Sequence, residues 1–261
     1  MENMVLFDFS KNEIIDVGGM TGQYSGCYFD RENNAYMCKS QGCQNPEWYI
    51  QQKIAINQEK YFDFSKNMID VGAYIGIYRW NLPFQKAWLF EPNRESYMYC
   101  CANAVLHNRV EDTFIYNEIL SRTHEVIRFN GYESVTENMV GAKHMKGQLF
   151  YLNDDTIMIS KTLDDFLPDF DNIGFIKIDC EGMDWKVIDG GRKTIKYFNY
   201  PPILFENWPP QDHPRYPVWL NESGDAAQER NKNVRRVLEE LGYDILWEWG
   251  DFETHLAIHR P

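Results

Sequence analysis

Five short clusters of acids and amides fall where buried apolar runs end: Asp70-Val71-Gly72, Glu91-Pro92-Asn93, Asn117-Glu118, Asp179-Cys180-Glu181 and Glu206-Asn207. At one such place a carboxylate or amide is explained by capping of the helix that follows. Capping would accept Ser or Thr equally well, so five acidic tips on one edge mark a site. Carboxylates in that position can hold ribose hydroxyls, balance a cation or take a proton. The first cluster continues as Asp70-Val71-Gly72-Ala73-Tyr74-Ile75-Gly76, whose two glycines allow a tight turn and a close approach of the backbone to a ligand. A helix starting near Tyr74 would aim its first N–H groups at that ligand. Glu91 ends the next apolar run, 21 residues after Asp70, where an acid holds a nucleotide ribose. The spacing favours a nucleoside-containing cofactor. Lys177, inside Phe175-Ile176-Lys177-Ile178, needs a carboxylate partner or access to the site, because an unpaired buried ammonium is strongly disfavoured.

The elements that must position these residues follow a strand–helix alternation. Strands are expected at 68–71, 87–90, 113–116, 174–179 and 202–206, and helices from Ile75 to about Phe84, 93–107, 185–198 and 228–241. Asn93 and Thr162 read as N-caps, and Gly242 as the residue closing the last helix. A terminal antiparallel pair, Tyr243 to Trp249 with Thr254 to His259, completes an α/β architecture: a mostly parallel sheet covered on both faces. Residues 124–160 break the alternation and read as an insertion within a domain spanning 46–261.

Residues 1–45 form a separate β appendage with a hairpin across Arg31-Glu32-Asn33-Asn34. They hold a partial repeat: Leu6-Phe7-Asp8-Phe9-Ser10-Lys11-Asn12 recurs as Tyr61-Phe62-Asp63-Phe64-Ser65-Lys66-Asn67, and Ile14-Ile15-Asp16-Val17-Gly18 mimics Met68 to Gly72. No strand ending in an acid follows the first copy at the right distance, and that copy is therefore read as structural.

The formal net charge of −13 argues against a nucleic-acid partner. The six cysteines show neither metal spacing nor a disulfide framework, the N-terminus is unlike a signal peptide, and no apolar run reaches membrane-spanning length. A cytoplasmic location with free thiols is the expectation. No Gly-Lys-Ser/Thr follows the first strand, and its turn lacks the third glycine of a nicotinamide-binding loop. An acid at position 70 suits a cofactor with a cationic or amino-acid portion.

Four ordered motifs carry a family resemblance: Ile69 to Gly76, Phe90-Glu91-Pro92, Thr162-Leu163-Asp164-Asp165 and Ile176 to Gly182. Together they resemble the FkbM family of S-adenosylmethionine-dependent O-methyltransferases over about residues 60–207, with Cys180 and Asp184 in place of the more usual aliphatic residue and Glu. The resemblance implies a class I, Rossmann-like methyltransferase fold whose seven-stranded sheet ends in an antiparallel strand. It implies methylation of a hydroxyl, often on a sugar of a glycan or glycoconjugate. It places the cofactor on Asp70, Gly72, Ala73, Tyr74 and Gly76 around the methionine portion, Glu91 on the ribose hydroxyls, Pro92 and Asn93 beside the adenine, Glu118 on its amino group, and Asp179 at the transferred methyl.

Two routes to activating the acceptor remain open. Asp179, Glu206 and Asn207 form an all-oxygen set suited to Mg²⁺ or Mn²⁺, similar to the arrangement of catechol-type methyltransferases. Without a metal, Asp179 is the general base, assisted by Lys177, Glu181 or His213. Trp208, Tyr216 and Trp219 offer aromatic faces on which a pyranose can stack.

Overall fold

The computed structural model describes residues 5–8, 13–16, 27–30, 35–38, 61–129, 134–135, 156–180, 182–207, 224–246 and 254–260. Within residues 1–45, β1 (Val5–Asp8) pairs antiparallel with β2 (Glu13–Asp16), and β3 (Cys27–Asp30) with β4 (Ala35–Cys38). The hairpin expected across 31–34 is therefore present.

The main sheet is built from β5 (Asn67–Val71), β6 (Ala87–Phe90), β7 (Thr113–Tyr116), β11 (Ile173–Ile178), β12 (Ile203–Glu206), β13 (Tyr243–Leu246) and β14 (Thr254–His259). Its order is β13-β14-β12-β11-β5-β6-β7. The pairs from β12 through β7 are parallel, and β14 runs antiparallel to both its neighbours. This is the seven-stranded, mostly parallel Rossmann-like arrangement that the resemblance implies, with the terminal hairpin expected from the sequence. A smaller antiparallel sheet of β10 (Thr156–Ile159), β8 (Val126–Phe129) and β9 (Ser134–Val135) lies in the region read as an insertion.

Successive residues of each central strand feed opposite layers, as the pleat requires. Met68, Leu89, Phe175 and Leu204 pack on one face with Phe62, Phe84 and Tyr99. Ile69, Trp88, Phe90, Ile176, Ile178 and Phe205 pack on the other with Val187, Ile188, Ile195, Val234 and Leu238. On the first side Tyr99 comes from α2 (Arg94–Leu106), joined in the same cluster by Ile77, Tyr78 and Trp80 of α1 (Ile77–Asn81); on the second the partners come from α3 (Asp184–Gly190), α4 (Arg192–Tyr197) and α5 (Gly224–Glu240).

Two helices differ from expectation. The first begins only at Ile77, because Gly72, Tyr74 and Gly76 all take positive φ, and it ends at Asn81, where Leu82 turns extended. Residues in the left-handed region cannot continue a right-handed helix. The expected helix 185–198 is two short helices broken at Gly191. There the chain is squeezed: a Cβ on Gly190 would lie 2.3 Å from the Ser121 carbonyl oxygen, and one on Gly191 would lie 2.8 Å from Leu163. Among the described residues, no helix is long and apolar enough to cross a membrane.

Candidate active site

The tips of β5 and β11 meet at the centre of the carboxyl edge. Asp70 and Lys177 face each other across the parallel ladder, both on the face that carries Met68 and Phe175. Lys177 Nζ lies 3.2 Å from Asp70 Oδ1 and 3.6 Å from Asp179 Oδ2, and donates a 2.6 Å hydrogen bond to the Gly72 carbonyl. Its side chain is only 4% exposed and sits over the Tyr78 ring. Lys177 therefore lies beneath the site and acts through its neighbours. Asp70 is fully buried, and its two oxygens receive no hydrogen bond of good geometry. Burial raises its pKa and the Lys177 ammonium opposes the rise.

Gly72 is required by this junction. Its φ is +72°, and a Cβ would stand 1.8 Å from the Asp179 carbonyl oxygen. The Asp179 N–H donates to Val71 O at 2.9 Å. The backbone of Asp179 is thus held against the glycine turn, while its side chain, 41% exposed, stays open to the edge.

Glu91 ends β6. Its Oε2 accepts the Tyr74 N–H and its Oε1 the Asn93 N–H, both at 2.7 Å. The left-handed Tyr74 is what turns that N–H toward the acid, so the N–H expected to face a ligand is spent on Glu91. Gly72 and Ala73 N–H groups both reach Phe90 O. Burial pushes the Glu91 carboxyl up to about 7, against the lowering effect of its two N–H donors. Asn93 caps α2 as expected, its Oδ1 accepting the Ser96 N–H at 3.0 Å. Asn117 fixes this corner from β7: its Nδ2 donates to the Glu91 and Pro92 carbonyls at 2.8 and 2.9 Å. Glu118 is held by an ion pair with Lys161.

On the other side, Asp184 joins the tips of β11 and β12. Its Oδ2 accepts the Cys180 N–H at 3.2 Å and its Oδ1 the Glu206 N–H at 2.9 Å. Burial and the nearby Asp179 charge raise its carboxyl to about 7. Among the described residues the edge carries the carboxyl groups of Asp70, Glu91, Asp179 and Asp184, with the ammonium of Lys177 against Asp70 and Asp179. Such an edge favours a ligand with a positive charge.

With this geometry in place, comparison with known proteins identifies the family. The model of the FkbM methyltransferase domain matches residues 70–245, about two thirds of the chain. The chain belongs to the FkbM methyltransferase family. The family is the one its motifs resemble, and the match runs beyond β12 through α5 into β13. Solved structures similar in fold include the FkbM methyltransferase of Methylobacillus flagellatus KT, at 15% identity and a TM-score of 0.49 over 81% of this chain and 50% of that one. The chain thus spans half the length of that protein. Others are the SAH-bound methyltransferase PaMTH1 of Podospora anserina, at 11% identity and TM-score 0.48 over 83% of this chain and 78% of that one, and a precorrin-6y C5,15-methyltransferase of Geobacter metallireducens GS-15, at 11% and 0.44 over 80% and 87%. No curated protein sequence matches the chain.

For this family member, a metal on Asp179, Glu206 and Asn207 does not fit the donors present. Asn207 Oδ1 accepts from the buried Arg230 guanidinium at 2.8 Å, and its Nδ2 donates to Asn231 at 2.7 Å. A divalent cation on that oxygen would stand against a guanidinium, and like charges in a buried place repel strongly. No group of three or more His, Cys, Asp or Glu side chains suited to a metal occurs among the described residues. Glu181, His213, Trp208, Tyr216 and Trp219 lie outside the described residues.

Proposed function

We propose that the chain transfers the methyl group of S-adenosylmethionine to a hydroxyl of a sugar in a glycan or glycoconjugate, in the cytoplasm, with Asp179 as the base. The observation that carries this reading is the contrast among the carboxylates of the edge. Asp70, Glu91 and Asp184 are buried, whereas Asp179 alone of the four keeps a substantially exposed side chain.

The edge fits this cofactor. The excess of carboxyl groups over Lys177 suits a cationic methyl donor with an amino-acid tail. Glu91 has lone pairs left after its two backbone bonds, enough to receive ribose hydroxyls. When bound, the cofactor supplies a methyl group on a positively charged sulfur, which needs no further activation.

The acceptor hydroxyl does need activation, because it is a poor nucleophile while protonated. Asp179 would accept that proton from the acceptor oxygen, and the cofactor held on the same edge would supply the methyl group. Lys177 Nζ, 3.6 Å from Asp179 Oδ2, helps to hold the base in place. Asp70 neutralises Lys177 from below, so the ammonium is not left as an uncompensated buried charge.

The test is a mass-spectrometric screen of sugar glycosides for a gain of one methyl group with S-adenosylmethionine present. Methylation of a glycoside by the native chain, with turnover lowered roughly a thousandfold or more and cofactor affinity unchanged in Asp179→Asn, supports the reading. Methylation at nitrogen, or full turnover by Asp179→Asn, would overturn it.

A further inference from the structure

The ladder between β11 and β12 stops at Ile178 and Phe205, one residue before the tips that carry Asp179 and Glu206. At and beyond that rung a side chain bridges the two backbones. Asp184 supplies the acceptors. One oxygen takes the N–H of Cys180, the residue after Asp179, and the other takes the N–H of Glu206. The carboxylate is buried and stands where the next rungs would be. A parallel pair can separate and twist freely once its ladder ends, so a bidentate clamp at that point fixes both spacing and orientation.

The other flank of Asp179 is already fixed. Its N–H is bonded to Val71 O, and its carbonyl rests against Gly72 closely enough that no Cβ would fit. Asp179 is thus held from β5 by the glycine turn and from β12 by Asp184, and its side chain is the part left to reach the acceptor. Gly182, at φ +90°, turns the chain so that position 184 returns under the tip it has just left.

We infer that Asp184 is a positioning residue for methyl transfer: by clamping the Cys180 and Glu206 N–H groups it fixes the placement of Asp179 relative to the acceptor side of the edge. The inference rests on the proposed role of Asp179 as base. Asp184 touches neither the transferred methyl nor the acceptor, so its effect should fall on turnover and leave cofactor affinity nearly untouched. Asparagine fails at 184 because the NH2 end of its amide presents an N–H where an N–H must be received. Aspartate and glutamate both present two acceptors, so a longer acid should recover part of the clamp.

The first measurement needs no acceptor. Amide hydrogen exchange on nitrogen-15-labelled protein compares Asp184→Asn and Asp184→Glu with the native chain, with thermal melting to confirm that each is folded. Asp184→Asn should speed exchange at Cys180 and Glu206 by roughly tenfold or more, while Ile69 and Ile176 in the central strands stay protected; Asp184→Glu should restore part of the protection. The second measurement uses S-adenosylmethionine and whichever glycoside the screen finds. Asp184→Asn should lose roughly thirtyfold or more in kcat with cofactor affinity within about threefold, and Asp184→Glu should recover part of the loss. Unchanged exchange at the two amides overturns the clamp. Equal loss of protection throughout the sheet in both variants makes Asp184 a residue of general stability and overturns its positioning role. If the native chain methylates no glycoside, the proposed function fails, and the exchange result still decides whether the clamp exists.

Discussion

The two copies of the repeated segment share their residues and differ in almost everything the structure does with them. Leu6-Phe7-Asp8 and Ile14-Ile15-Asp16 pair with each other in one antiparallel hairpin, Val5 opposite Asp16 and Asp8 opposite Glu13. In the second copy, residues 61–66 are a turn leading into the sheet, and Asn67 to Val71 is a central parallel strand between β11 and β6. Asp16 therefore ends a local hairpin, whereas Asp70 is buried beside Lys177. The difference teaches that an apolar run ending in Asp-Val-Gly becomes a central strand only where partner strands flank it, here β6 leading to Glu91 and β11 carrying Lys177. Those partners are supplied from 20 to 110 residues away in the chain.

The sharpest way to break the comparison is at the glycine that follows each acid. Gly72→Ala places a methyl group into the Asp179 carbonyl at positive φ. That combination should cost more than about 3 kcal/mol and abolish both folding yield and turnover. Gly18→Ala should lower neither by a comparable amount. Thermal melting and soluble yield check both. A Gly72→Ala protein as stable as the native chain would show that the tips can move apart.

A smaller effect is expected from pH. Burial holds Glu91 and Asp184 at about 7 in the folded chain, above their ordinary 4.5 and 3.8. The folded state therefore binds more protons than the unfolded state between those values. The stability this brings is fully present below about pH 4 and is lost as pH rises through about 7. In that acid range the surface carboxylates held low by Arg260, Arg192 and Arg236 lose their own contribution. The cofactor-free protein should thus melt several degrees higher near pH 5.5 than near pH 8. Glu91→Gln should flatten part of that slope, while Asp16→Asn leaves it as it is. A slope of opposite sign would mean that Glu91 and Asp184 are ionised at little cost.

What could be read from the chain and what could not divides along the same line. The strand tips, the Asn93 cap, the terminal hairpin and the Asp70–Glu91 spacing depend on residues close in sequence, so their pattern is visible in it. The need of Lys177 for a carboxylate could be inferred from burial alone, though not that two carboxylates would share it. Asn117 on the Glu91 and Pro92 carbonyls, Lys161 on Glu118, and Arg230 on Asn207 are pairings across the fold with no periodic trace. The metal route, one of the two left open, does not fit for that reason: Asn207 has the right chemistry at the right tip, and Arg230 of α5 takes its oxygen. The early start expected for α1 failed differently, because Tyr74 adopts a left-handed backbone that its residue type does not announce.

The account's central claim is that the second copy, and not the first, is a cofactor edge organised on Glu91. Calorimetric titration of S-adenosylmethionine into the native chain, Glu91→Ala and Asp16→Ala tests it most directly. The native chain and Asp16→Ala should bind with affinities equal within about twofold, and a folded Glu91→Ala should bind roughly tenfold or more weakly, since each charge-assisted hydrogen bond contributes about 1.5–3 kcal/mol. No binding by the native chain, or an equal loss in Asp16→Ala, would contradict it.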